Sequence, residues 1–223
     1  MNTPEREAFE VVQRVQEFLD AQVAKLAETI PASLRARIDQ VVRRLSEQQA
    51  EQTLATAMAA AETAKKNEYR LDVYIRFLRP IGRIAVIVFD DSRELRSLVM
   101  SAASMRQPRF LERAALVADV ASTYPKVFVG HGMKADFIDQ LRALLDQIRS
   151  AGDSHDHYMG RQVAATASLE SAAKYARDIV RLLDALLTPA LKNDPALLAD
   201  WAASKRISTA ETAPPPSGNS AQA

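Results

Sequence analysis

The stretch from Ala32 to Arg79 contains neither glycine nor proline, and no other feature of this chain constrains its fold as strongly. Leu34, Ile38, Val41, Leu45, Gln48, Gln52, Ala55, Ala59, Glu62, Lys66, Tyr69 and Val73 recur along it at steps of three and four. That spacing places one stripe of side chains on one face of a helix. Read as continuous to Leu78, the helix is about 70 Å long at a rise of ~1.5 Å per residue. Helices of that length pair in hairpins or bundles. The ends of the stripe are apolar and its middle is polar or alanine, so a neighbouring helix can approach closely there.

The rest of the composition agrees with an α-class chain. Alanine, leucine, arginine, glutamate and glutamine dominate, and these residues lose little entropy in a helix. Aromatics at 6% and only 6 glycines are too few for a β-sandwich of this length. The expected architecture is an elongated antiparallel helical bundle, with two long helices and several shorter ones, over residues 3–207. Residues 208–223, rich in proline, serine and alanine and including Pro214-Pro215-Pro216, read as a disordered tail.

Other elements follow from local signals. Thr3-Pro4-Glu5 reads as a cap, a first-turn proline and a first-turn acid, opening a helix with Phe9, Val12, Val15, Leu19, Val23 and Leu26 on its inner face. Pro31 opens the long helix, with Thr29 as its cap. The run Ile81 to Phe89 is β-branched enough to suggest a strand, but no second strand exists to pair with it. It is read as a helix continuing past a kink at Pro80 and buried on most sides. A single helical turn is expected at Glu94–Met100. Pro108 begins a helix carrying Phe110, Ala114, Val117 and Ala121, which Pro125 interrupts, and Gly132 stops the following segment. The pattern then gives one helix from Phe137 to about Gly152 and another from about His155 to Leu187. Asn193-Asp194-Pro195 caps a last short helix anchored by Trp201.

Three short patterns carry a resemblance. They are Arg79-Pro80-Ile81-Gly82-Arg83-Ile84-Ala85, the stretch Phe128-Val129-Gly130-His131-Gly132-Met133 with Phe137 and Leu141, and the closing Leu197-Leu198-Ala199-Asp200-Trp201. Together they resemble an uncharacterised group of bacterial all-helical proteins of about 200 residues, over residues 5–207. The resemblance implies the helical fold and brings no activity and no site.

Charge and residue chemistry exclude several function classes. The formal net charge is +1, and residues 1–90 carry as many acids as bases, so no basic surplus marks a nucleic-acid partner. The absence of cysteine removes disulfides, thiolate catalysis and thiolate-bound metals. The polar N-terminus reads as lacking a signal peptide, and the run Ile81–Phe89 is too short to span a bilayer. A cytoplasmic protein with no membrane partner is expected.

The residues with metal-ligand chemistry are Asp153, His155 and His157. On a helix only Asp153 and His157 share a face, so the alternative is a polar helix start with Asp153 or Ser154 as cap. His131, between two glycines, either faces a pocket or answers the negative end of a helix. Gly130-His131-Gly132-Met133-Lys134 resembles a phosphate loop only loosely, without the required glycine spacing or the Ser/Thr. Asp90-Asp91 reads as a solvated turn, and Tyr69, Tyr74, Phe77, Tyr158 and Tyr175 as packing or a ligand cavity. No catalytic motif and no cofactor fingerprint is found. The expected role is therefore non-enzymatic. It is a structural or protein–protein interaction bundle, self-associating through the Ala/Gln face of residues 48–59 or binding another protein. The alternative is a small-molecule or metal-binding bundle using His131 and His155–His157.

Overall fold

The computed structural model describes residues 3–89 and 105–206. The expected turn at Glu94–Met100, the Asp90-Asp91 pair and the C-terminal tail lie outside these residues. Every regular element among the described residues is a helix, and the protein is an all-α antiparallel bundle. In chain order the helices are α1 (Thr3–Ala21), α2 (Val23–Leu26), α3 (Ala32–Val73), a π-helical turn (Tyr74–Leu78) and α4 (Arg79–Val88). There follow α5 (Gln107–Ser122), α6 (Pro125–Gly130), α7 (Phe137–Ala190) and α8 (Pro195–Ser204). The two long helices are α3, of 42 residues, and α7, of 54.

The chain gathers into two compact units, Met1–Gln52 with Val163–Ala223, and Thr53–Gln162. The division falls inside α3 and inside α7. In the first unit, α1 contributes Val12, Val15 and Leu19 to the core, and α3 contributes Leu34, Ile38, Val41 and Leu45. The second half of α7 adds Leu169, Ala173, Leu183 and Leu187, and α8 adds Leu197 and Trp201. The Phe18 and Trp201 rings lie 5.5 Å apart. Asp194 caps α8 by accepting a hydrogen bond from the Leu197 N–H, with Pro195 in the first turn, as the local sequence leads one to expect.

In the second unit Phe77, Leu78 and Ile81 meet Phe110, Ala114 and Val117 of α5 and Leu141, Leu145 and Ile148 of α7. Phe128 of α6 packs its ring 5.8 Å from that of Phe137. The alanine-lined faces explain how elements with so few aromatics still close-pack, because small side chains let helix axes approach.

Several expectations need correction. The first helix ends at Ala21, and α2 starts afresh after Gln22, leaving Val23 51% exposed rather than on the inner stripe. Pro31 precedes α3, and its own carbonyl accepts the first hydrogen bonds, from Leu34 and Arg35. The two helices expected on either side of Gly152 are one. Glycine ends a helix when it adopts a left-handed backbone, and among the described residues only Gly132 does so, with φ of 99°. Gly152 and Gly160 keep negative φ and stay inside α7.

The region of Pro80 has its own physics. Proline has no N–H to offer the Arg76 carbonyl, and its ring collides with that group in a regular helix. The chain widens by one residue just before it. The Arg79 N–H donates to the Tyr74 carbonyl, five residues back, and the helix then resumes as α4. The extra residue rotates the register, so the neighbours Phe77 and Leu78 are both buried while Ile75 turns outward. The expectation that the following run is buried on most sides does not hold. Ile81, Gly82 and Ala85 face the core, whereas Val86 and Ile87 face solvent.

Candidate functional site

The residues with metal-ligand chemistry are on consecutive turns of α7, and His155 is on a different face from Asp153 and His157. Asp153, Asp156 and His157 are exposed. The His157 ring lies edge-on to Tyr158, with centroids 5.5 Å apart. His155 is half-buried, and its Nδ1 lies 3.1 Å from both the Ala59 carbonyl and the Thr63 hydroxyl. Because the carbonyl can only accept, Nδ1 carries the proton, and Thr63 also donates to Ala59. Among the described residues, no three His, Asp or Glu side chains converge as a metal site would require. His131 is exposed and lies just past α6. Its Nδ1 is 2.8 Å from the Val127 carbonyl, so the ring donates to a backbone acceptor at the end of that helix.

The Ala/Gln face of residues 48–59 is an internal one. Ala55 and Ala59 are only 1% and 4% exposed. In the first unit the Gln52 amide donates to the Thr166 hydroxyl of α7 at 2.8 Å. In the second, His155 of α7 holds the Ala59 carbonyl. Small side chains on the stripe let α7 come close, and it covers the two alanines. Glu62, on the same stripe, is buried and paired with Lys65 at 2.7 Å. The hydrogen bond and charge of Glu62 hold the Lys65 ammonium above its usual range.

A second polar cluster ties the end of the first unit together. Asp184 Oδ1 accepts the Trp201 indole N–H at 2.9 Å, the Thr188 hydroxyl at 2.8 Å and the Lys205 ammonium. The Lys205 hydrogen bond, with those of Trp201 and Thr188, outweighs burial and lowers the Asp184 pKa. This cluster anchors α8 on α7.

Apolar side chains reach solvent along the helix that includes the π turn. Leu71 is 58% exposed, Ile75 50%, Val86 44% and Ile87 76%. Tyr74, Gly82, Val86 and Ile87 line an open groove of about 570 Å³, with Arg79 and Arg83 on it as well. No carboxylate among the described residues pairs with either arginine. The tyrosine in this groove was legible as an aromatic at helical spacing. The groove itself was not, because the register shift at the π turn decides which residues face out.

A smaller cavity of about 350 Å³ opens in the first unit between α1 and α7. Val11, Val12 and Val180 form its floor and Glu7, Arg177 and Lys205 stand at its edge. No helix among the described residues is long and apolar enough to cross a membrane.

Comparison with known proteins returns no match to a family model, to a curated protein or to a solved structure. The functional reading therefore rests on the surface itself.

Proposed function

We propose that this protein is a non-enzymatic helical module that binds another protein through the exposed face of residues 71–87. One observation carries the reading: Leu71, Ile75, Val86 and Ile87 all face solvent on a segment whose opposite side is core. Single exposed leucines are ordinary, but four large aliphatic side chains along one segment are a familiar mark of an interface. The π turn supports it, since such turns are concentrated at functional sites.

The test is an exchange of Ile87 for glutamate. The side chain is 76% exposed, so Ile87→Glu leaves the fold intact by circular dichroism. A partner captured by the wild-type chain and confirmed by reciprocal capture is expected to lose at least tenfold in affinity for the variant. Equal capture by both chains overturns the reading.

A second reading, a small-molecule-binding bundle, draws on the cavity between α1 and α7 and not on the histidines. Its apolar floor with a few charged groups at the edge fits an amphiphile. Filling it with Val180→Trp should abolish a thermal shift produced by decanoate. No shift with the wild-type protein removes this reading.

A further inference from the structure

We infer that the occupant of the groove at residues 74–87 is an amphipathic helix with acidic residues beside its apolar stripe, supplied by a different protein. The inference rests on the interaction reading above and names its partner.

The groove offers two kinds of contact. Val86 and Ile87 present aliphatic surface along the groove, which Tyr74 and Leu78 also line, and an amphipathic helix lays its apolar face into such a groove. Arg79 and Arg83, one turn apart, are exposed guanidinium groups with no carboxylate partner among the described residues. Asp72, two turns before Arg79, is already held by Arg76 at 3.0 Å. The surface is thus apolar and positive, and its complement is apolar and negative. Arginine suits the task because its planar fork grips a carboxylate through two parallel hydrogen bonds.

The same charges argue against two other occupants. In a symmetric pair of copies meeting through this face, Arg79 and Arg83 would oppose their own counterparts, and like charges brought together in an interface are costly. An anionic membrane is a poorer match as well. Stable electrostatic adsorption takes clusters of roughly four to eight cations, and the described residues of this face supply two without a carboxylate partner.

Fluorescence anisotropy with labelled synthetic helices tests the inference on the full chain. One peptide carries leucines at i, i+4 and i+7 flanked by glutamates, and its twin replaces the glutamates with lysines. The wild-type protein is expected to bind the glutamate peptide at least tenfold more tightly than the lysine peptide. The double variant Arg79→Glu/Arg83→Glu should reverse that preference, and Ile87→Glu should weaken both. Equal binding of the two peptides, or a preference that survives charge reversal, overturns the acidic occupant. Co-sedimentation with vesicles rich in phosphatidylserine, stronger than peptide binding, also overturns it in favour of a lipid surface. Concentration-dependent dimer mass that is lost in Ile87→Glu overturns it in favour of a second copy. If the captured native partner is sensitive to Ile87→Glu but not to the double arginine variant, the interaction reading stands and the acidic occupant falls.

Discussion

Replacing Gly160 and Gly152 with alanine, one at a time, tests the continuity of α7 with opposite signs for opposite architectures. Both glycines lie inside the helix with negative φ. Alanine in a helix interior is favoured over glycine by about 0.8–1.0 kcal/mol. A Cβ added at Gly160 meets nothing within 4 Å, so no packing cost offsets that gain. Gly160→Ala is therefore expected to stabilise the protein by about 1 kcal/mol. At Gly152 the added Cβ lies 3.1 Å from Nε2 of Gln107, the far end of a flexible side chain that can swing aside. Gly152→Ala should keep roughly half the gain, ~0.5 kcal/mol. Gly132 is the internal control. With φ of 99°, Gly132→Ala forces a side chain into the left-handed region and costs about 1–2 kcal/mol. Urea unfolding followed by far-ultraviolet circular dichroism reads all three. If two helices met at Gly152, that glycine would sit at a left-handed stop and its alanine variant would lose about 1 kcal/mol. A loss of that size at Gly152, or no gain at Gly160, refutes the continuous helix.

The remaining predictions concern the buried faces and the Asp184 cluster. Ala55→Glu places a carboxylate at a position 1% exposed and is expected to cost about 3–5 kcal/mol in urea unfolding. Unchanged stability with a change in assembly mass would show that this face is external after all. Trp201→Ala removes a fully buried ring and should cost the first unit about 3–5 kcal/mol, a loss below ~1 kcal/mol contradicting its place as anchor. The Asp184 pKa is lower in the folded state than in the unfolded one, so its contribution is fully present above the ordinary carboxylate range and is lost as pH falls through the depressed value. Acid titration followed by the fluorescence of Trp201, the single tryptophan, should report this transition, and Asp184→Asn should abolish it. A titration unchanged in that variant would assign the acid sensitivity elsewhere.

The sequence by itself determined the helical class, because a run free of glycine and proline with one inward stripe has no stable alternative. Every stripe residue of α3 is at least half-buried, from Leu34 to Val73. The cap at Asp194 and the anchor at Trp201 were legible for the same reason: they depend on neighbours a few residues away. Tertiary structure decided what depends on distant neighbours. Alanines 55 and 59 looked too weakly apolar to be core, and they are core because α7 comes close enough to cover them. Gly152 looked like a stop and is not one, since a glycine ends a helix only when its backbone turns left-handed. The groove of Arg79, Arg83 and Ile87 depends on a one-residue π insertion before Pro80. Periodicity read at a constant 3.6 residues per turn has no way to register that rotation, and the face on which the functional proposal stands therefore appears only in three dimensions.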